Sequence, residues 1–370
     1  MQTQQSNWKS QLSGMITTPG QLARYISVTE EQAAEMLQVA GRYKMGLSPY
    51  YAELLSKGDP TGGLRKQALP SAGELAYSPL LSDDPLEEGG SSPLKRLVHK
   101  YPDRVILIAS DLCFMYCRHC TRKNTVLHGN SFITQGELEA ITAYIRQTPQ
   151  ITDVLITGGD PLVMDDGRLE AVLAAIRSIP HVSTIRVGTR AVTAAPMRIT
   201  PALADMLERY HPVWLNFQCN HPDEITPEME QACGLLLSRG VPLGCQTVLL
   251  QGINNDLETM RSLLLKLIRI RVRPYYLYQC DLVRGTEPFM TSYREGMELI
   301  RGLWGRIPGY AVPRFVIDAP GRSGKIVVEP NNIVEEGADR IILRDYEGRH
   351  TAVPLPPDKQ AGQPEGGENS

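Results

Sequence analysis

Apolar and polar positions alternate in a regular order from about residue 100 to about residue 318. Short runs rich in Val, Ile, Leu and aromatic residues are separated by longer stretches with helical spacing of their apolar positions. The short runs are typical of buried strands, and the longer stretches are typical of amphipathic helices. Strands are predicted at 104–110, 153–158, 184–190, 213–219, 243–250, 273–281 and 313–318. Helices are predicted between them at 134–148, 168–179, 202–210, 227–239, 256–270 and 293–307.

This alternation predicts an α/β fold. Strands that alternate with helices form a parallel sheet, and right-handed crossovers connect them. Six or seven such units suit a partial parallel barrel of the (βα)6 type, whose site lies at the carboxyl ends of the strands. A doubly wound open sheet is the alternative. The barrel is favoured because the motifs described below follow strands one, two, six and seven, and one barrel mouth would gather them.

The chain divides into four predicted parts. Residues 1–98 read as a helical extension interrupted by proline, and residues 99–330 form the core barrel. Residues 331–353 are predicted to be a short segment containing one strand pair. The tail, 354–370, is rich in proline, glycine and charge and is predicted to be disordered.

Composition and charge narrow the functional classes. The net charge of −3 over 370 residues gives no electrostatic footprint for nucleic acid or an anionic membrane. The start of the chain lacks a basic region followed by an apolar run, and no stretch is apolar enough to span a bilayer, so neither a signal peptide nor a membrane anchor is expected. Seven cysteines, with three in one motif, argue against a disulfide framework and indicate a reducing cytoplasm.

Three cysteines follow the first predicted strand, at Cys113, Cys117 and Cys120. Three thiolates on a loop at a strand end can hold three irons of a [4Fe-4S] cluster, leaving the fourth iron open for a small chelating ligand. The alternative is a zinc site with His119 as fourth ligand, but zinc ligands usually come as two separated pairs. The CX3CX2C spacing resembles that of radical S-adenosylmethionine enzymes, and this resemblance implies a barrel of their type.

The second predicted strand ends in Gly158, Gly159 and Asp160. Glycines at a strand end let a ligand approach the backbone closely, and an acid there can accept from an ammonium group. Alone this turn is weak evidence, because many strand-to-helix turns use glycine. After a three-cysteine motif it resembles the segment that holds the amino group of S-adenosylmethionine.

The last predicted strand leads to Asp318 and then to Lys325, which follows a glycine on a predicted loop. A lysine in this context can form a Schiff base with pyridoxal phosphate, although most loop lysines are solvated surface charges. In a barrel this loop opens into the same mouth as the cysteine motif.

Taken together, these motifs resemble the lysine 2,3-aminomutase family from about residue 60 to about residue 350. The motifs that carry the resemblance are Cys113 to Arg122, Gly158-Gly-Asp-Pro-Leu, Asn220-His-Pro, Arg273-Pro-Tyr-Tyr-Leu-Tyr-Gln-Cys-Asp281 and Asp318-Ala-Pro-Gly-x-x-Gly-Lys325. The resemblance implies that Lys325 carries pyridoxal phosphate, with Arg104 at its phosphate and Tyr101 nearby. It further implies that Arg122 binds the substrate α-carboxylate, and that Asp281 and Asp318 bind the distal ammonium of lysine.

The reaction implied by the resemblance moves the α-amino group of L-lysine to the β carbon. A [4Fe-4S] cluster, S-adenosylmethionine and pyridoxal 5′-phosphate are the implied cofactors, with an electron donor such as flavodoxin or ferredoxin and a homo-oligomeric enzyme. No cysteine follows Cys280, so the zinc of clostridial family members is not expected. The same chemistry on arginine or on a protein-bound lysine is the nearest alternative, and a non-catalytic iron–sulfur or zinc module is a more distant one.

Overall fold

A mixed β-sheet forms the centre of the protein. The computed structural model describes residues 7–58, 62–125, 129–321 and 323–356. Within these ranges the strands of a nine-stranded sheet follow one another in sequence order from the first to the ninth. They are β1 Leu97–Tyr101, β2 Arg104–Ser110, β3 Asp153–Gly158, β4 Thr184–Thr189, β5 Val213–Gln218, β6 Leu243–Leu249, β7 Arg273–Gln279, β8 Arg314–Ala319 and β9 Gly324–Val327. Neighbours from β2 to β8 are parallel, and the edge strands β1 and β9 are antiparallel to theirs.

Five short helices precede the sheet and pack against it. They are α1 Trp8–Ser13, α2 Pro19–Leu22, α3 Glu30–Ala40, α4 Pro49–Lys57 and α5 Gly63–Ala68. Leu22, Leu47 and Leu55 of this region belong to the same hydrophobic core as Leu107 of β2. The N-terminal region therefore shares its core with the barrel, and the boundary at residue 98 stays a prediction.

Helices cover one face of the sheet. Between β2 and β8 they are α6 Gln135–Arg146, α7 Asp166–Arg177, α8 Ala191–Ala194, α9 Pro201–Arg209, α10 Pro227–Ser238, α11 Leu257–Arg269 and α12 Tyr293–Leu303. In the described part of the chain, six crossovers thus join seven parallel strands, as the alternation predicts. Strands β2, β3 and β4 bury every second residue while the intervening ones stay half-exposed. A doubly wound sheet buries both faces, so this alternation confirms the barrel-type α/β fold.

Side-chain caps explain where the crossover helices begin. Thr134, Thr200, Thr226 and Asp256 each accept a hydrogen bond from the backbone N–H three residues later. Such caps satisfy a backbone donor that the first helical turn leaves free. The predicted helix bounds agree with the observed ones to within a few residues because these capping residues and the apolar periodicity coincide.

The segment after the barrel differs from its prediction. It forms a separate antiparallel sheet of three strands within the described residues: β10 Ile333–Glu336, β11 Arg340–Arg344 and β12 His350–Pro354. The predicted strand pair was therefore one strand short, because β12 is only five residues long and its sequence, His-Thr-Ala-Val-Pro, carries no clear apolar pattern. The predicted disorder of the tail falls largely on 357–370, outside the described residues. None of the described helices is long and apolar enough to cross a bilayer.

Candidate active site

The three cysteines lie on the loop that leaves the carboxyl end of β2. Cys113, Cys117 and Cys120 are all half-buried; burial is the main cause that raises the pKa of Cys113, and the charges of Asp160 and of the other two thiols add to it. Burial is the main cause that raises the pKa of Cys117 to about 11, and it also raises the pKa of Cys120. No three His, Cys, Asp or Glu side chains of the described ranges gather as they would around one metal ion. An iron–sulfur cluster differs from a single ion, because each thiolate binds a different iron. Three thiols on one loop therefore fit such a cluster, and its assembly must displace their protons.

The N-terminal region holds this loop in place through buried charges. Arg118, between two of the cysteines, donates to both carboxylate oxygens of Glu74 at 2.6 to 3.0 Å. Lys123 also donates to Glu74 at 3.0 Å, and all three side chains are almost completely buried. The backbone N–H of Tyr116 donates to the carbonyl of Gly46 at 2.8 Å. No local sequence pattern marks this support.

The Gly158-Gly159 turn packs directly on the cysteine loop. A Cβ on Gly158, whose φ is +135°, would lie 2.5 Å from the carbonyl oxygen of Ser110. A Cβ on Gly159 would lie 2.4 Å from the carbonyl oxygen of Leu112. Only glycine lets the two backbones come so close. The turn therefore lies beside Cys113, where the sequence predicts a ligand contact.

The carboxylate of Asp160 is bound by neighbouring residues of the protein. It accepts from the backbone N–H groups of Leu162 and Arg190 at 2.9 and 2.8 Å. It also accepts from the hydroxyl of Thr189 at 2.7 and 2.9 Å. Burial raises the pKa of Asp160. Asp160 thus accepts three hydrogens from the protein, and its contact with the ammonium group of a ligand stays a prediction, as does the contact of the turn's backbone.

Lys325 lies on a strand, which corrects the predicted loop. It stands on β9 directly opposite Asp318 of β8, and its Nζ donates to Asp318 Oδ2 at 2.8 Å. Opposite residues of an antiparallel pair share one face of the sheet, which is why the two side chains meet. Gly324, at φ +76°, leaves room for the Tyr101 hydroxyl, which accepts from the backbone N–H of Lys325 at 2.8 Å.

Tyr101 brings Arg104 into the same region. The Arg104 guanidinium stacks over the Tyr101 ring at 4.0 Å, in the geometry of a cation–π contact. Arg104 is the first residue of β2, whereas the cysteine loop follows the last residue of that strand. The two therefore lie at opposite ends of β2. The contact between Tyr101 and Lys325 shows that the edge strands β1 and β9 approach each other. Tyr101 therefore contacts both the Arg104 side chain and the backbone of Lys325.

Asp281 lies near this group, just after β7. Thr121, next to Cys120, donates its hydroxyl to Asp281 Oδ2 at 2.6 Å. Burial raises the pKa of Asp281 to about 6, and the nearby carboxylate of Asp318 adds to the effect. Asp281 and Asp318 therefore form an anionic region beside Lys325, which suits a cationic ligand.

Arg122 forms an ion pair that sequence reasoning missed. Its Nε and Nη2 donate to the two carboxylate oxygens of Glu88 at 2.9 and 2.6 Å. Burial alone would raise the pKa of Glu88, but the Arg122 guanidinium outweighs it and the pKa is lowered. No sequence pattern marks Glu88, because it stands in a glycine-rich turn far from the other motifs. Arg122 thus reaches the same mouth as Lys325, which also acts on Glu88 electrostatically.

Comparisons with known proteins agree with these motifs. The family model described as Lysine-2,3-aminomutase matches residues 300–369. The L-lysine 2,3-aminomutase of Clostridium subterminale is 46% identical over 95% of this chain and 84% of its own length. That of Methanococcus maripaludis is 44% identical over 95% of this chain and 82% of its own.

Two further similarities are relevant. The glutamate 2,3-aminomutase of Clostridioides difficile is 39% identical over 93% of this chain and 81% of its own length. A radical SAM methyltransferase from Sphaerobacter thermophilus aligns over 60% of this chain and 68% of its own, with a TM-score of 0.40 and 17% identity. The identities over nearly the whole chain decide the relationship: the chain belongs to the lysine 2,3-aminomutase family.

Proposed function

We propose that this protein moves the α-amino group of L-lysine to the β carbon, giving β-lysine. The observation that carries the proposal is the pair of carboxylates, Asp281 and Asp318, beside Lys325 and close to the cysteine loop. An ammonium group in a half-buried site needs anionic partners, and this region supplies two. The enzyme is thus an isomerase, in keeping with its relatives.

The family works with three cofactors, and the side chains present fit them. Cys113, Cys117 and Cys120 would hold a [4Fe-4S] cluster, and the Gly158-Gly159 turn would contact S-adenosylmethionine. Lys325 would bind pyridoxal phosphate covalently, with Arg104 and Tyr101 close to its phosphate. When bound, these groups supply a 5′-deoxyadenosyl radical and the conjugated system through which nitrogen migrates.

The protein itself orients the substrate. Arg122 would bind the α-carboxylate, and Asp281 with Asp318 would bind the distal ammonium, so lysine is held at both ends. A glutamate side chain would meet the two carboxylates without a compensating charge. Arginine is harder to exclude, because a guanidinium also suits carboxylates. We therefore rank lysine first and arginine second.

The proposal extends to the surroundings of the enzyme. A cluster that must be reduced requires an electron donor, and flavodoxin or ferredoxin is the expected class. The three thiols that would ligate the cluster indicate a cytoplasmic location, since a reducing compartment keeps them available. A homo-oligomer is proposed from the family relationship.

The test is a substrate panel. The protein is reconstituted anaerobically with iron, sulfide, pyridoxal phosphate and S-adenosylmethionine, reduced, and given lysine, arginine or glutamate. We expect β-lysine from lysine, a slower reaction with arginine and none with glutamate. Turnover of glutamate in preference to lysine would refute the substrate assignment, and a loaded protein that converts none of the three would refute the proposed activity.

A further inference from the structure

Glu88 binds one edge of the Arg122 guanidinium. Nε of Arg122 donates to one carboxylate oxygen of Glu88, and Nη2 donates to the other. Both side chains are largely shielded from solvent, with 18% of Arg122 and 16% of Glu88 exposed. A two-point pair of this kind fixes the plane and rotation of the guanidinium as well as neutralising its charge.

Backbone hydrogen bonds fix the segment that carries Glu88. This mouth segment, residues 82–92, is held internally by Asp84, whose carboxylate accepts from the backbone N–H groups of Glu88 and Gly89 at 3.0 Å each. The N–H of Ser82 donates to the carbonyl of Leu282 at 3.0 Å, immediately after Asp281.

The mouth segment also contacts the hairpin that carries Lys325. The N–H of Gly321, in the loop between β8 and β9, donates to the carbonyl of Pro85 at 3.1 Å. The mouth segment is therefore attached to the loop after Asp281 and to the β8–β9 loop that follows Asp318. Moving it away from Arg122 would require these contacts to break, so a stable placement is favoured over a gate that opens.

The other edge of Arg122 is left for a ligand. No described residue accepts a hydrogen bond from Nη1 of Arg122, whose hydrogen bonds to Glu88 use Nε and Nη2. A guanidinium can bind one carboxylate through Nε and Nη2 and a second through its Nη1 side. We propose that Glu88 is a positioning residue, which orients Arg122 so that its Nη1 edge meets the α-carboxylate of the amino acid substrate. This inference rests on the proposed function.

A carboxylate beside Arg122 could have the opposite effect. If Glu88 competed with the substrate for the guanidinium, removing its charge would tighten lysine binding. If it positions the fork, the same change would weaken binding, because Arg122 would lose one of two charge-assisted hydrogen bonds and rotate more freely. The sign of the change in affinity therefore separates the two roles.

The experiment compares lysine with 1,5-diaminopentane, which is the same diamine without the carboxylate. Binding to the protein loaded with pyridoxal phosphate is followed by the change in cofactor absorbance. We expect Glu88→Gln to weaken lysine binding about tenfold, the equivalent of one charge-assisted hydrogen bond, and to leave diamine binding within about twofold. Glu87→Gln is the matched control, since its exposed side chain is the immediate neighbour, and it should change neither affinity.

A double-mutant cycle tests whether Glu88 acts through Arg122. In an Arg122→Met background, Glu88→Gln should alter lysine affinity by less than about twofold. Unchanged or tighter lysine binding in the single variant would overturn the proposal, as would equal losses for lysine and the diamine. Should Glu88→Gln not fold, Glu88→Asp keeps the charge but withdraws it by one methylene, and the same expectations apply. A wild-type protein that does not bind lysine would instead refute the proposed function.

Discussion

Replacing Asp281 by asparagine should stabilise the substrate-free protein while destroying its activity. Burial raises the pKa of Asp281 to about 6 from its usual 3.8. The folded protein therefore resists ionising this group, so stability is lost as the pH rises from about 3.8 to about 6 and stays low above that. At 1.36 kcal/mol per unit of difference between the two pKa values, ionised Asp281 lowers the free energy of unfolding at pH 7.5 by about 3 kcal/mol. Asparagine has no charge to develop and can still accept the Thr121 hydrogen bond.

The expected gain can be measured as a change in Tm. With an unfolding entropy of roughly 2.1 cal/mol/K per residue, 3 kcal/mol corresponds to a rise of about 4 °C for a chain of 370 residues. Thermal unfolding of the cofactor-free protein, followed by circular dichroism without lysine, gives this value for both proteins. About half of the difference should remain at pH 5, where the wild-type carboxyl is mostly protonated in the fold. Lysine turnover should be lost at either pH.

Asp318→Asn provides the contrast. Its carboxylate lies 2.8 Å from Lys325 Nζ, so it already has a cationic partner. Removing that charge leaves the Lys325 ammonium without this anionic partner, so Tm should fall or stay unchanged. An Asp281→Asn protein that is no more stable than wild type at pH 7.5 would refute the reasoning. A gain that is equally large at pH 5 would show that the raised pKa is not its cause.

Three further predictions follow from the geometry of the site. Cys117→Ala should lose the cluster absorbance and the reductive cleavage of S-adenosylmethionine. Cys233→Ala, at a buried position on α10, should keep both. Cleavage at the wild-type rate in Cys117→Ala would contradict the ligand assignment. Gly324→Ala should lower lysine turnover about tenfold, because its φ is +76° and its Cβ would lie 2.4 Å from a tyrosine hydroxyl. Gly348→Ala, at φ +86° with no atom near its Cβ, is the control, and equal losses in both would mean that backbone strain alone is responsible. Borohydride should fix pyridoxal phosphate to the peptide containing Lys325, and a label on any other lysine would show that assignment to be wrong.

The strands and helices of the barrel could be predicted because each has a strong local signal. Runs such as Val105 to Ala109 are apolar and end at turns, and the helices between them carry capping residues where their periodicity starts. The edge strands β1 and β9 could not be found in this way. Each is short and half-polar, and pairs with a neighbour across a tight turn, so pairing rather than composition makes it a strand. Lys325 was assigned to a loop for that reason.

The candidate site divides in the same way. The cysteines, the Gly158-Gly159 turn and Lys325 lie in compact motifs that a single sequence displays. Their partners do not: Glu74 meets Arg118, and Glu88 meets Arg122, from the N-terminal region. Most acidic residues are solvated surface charges, so only the fold reveals which of them are paired. Neither the net charge nor the local sequence pattern predicts such contacts.

The most direct test of the proposed reaction uses L-lysine labelled with ¹⁵N at the α-amino group. The reconstituted enzyme, reduced under anaerobic conditions, is incubated with this substrate, and the product is analysed by NMR. We expect β-lysine in which the ¹⁵N is bonded to the β carbon and the ε nitrogen is unlabelled. Failure to form β-lysine, or β-lysine whose β nitrogen is unlabelled, would contradict it.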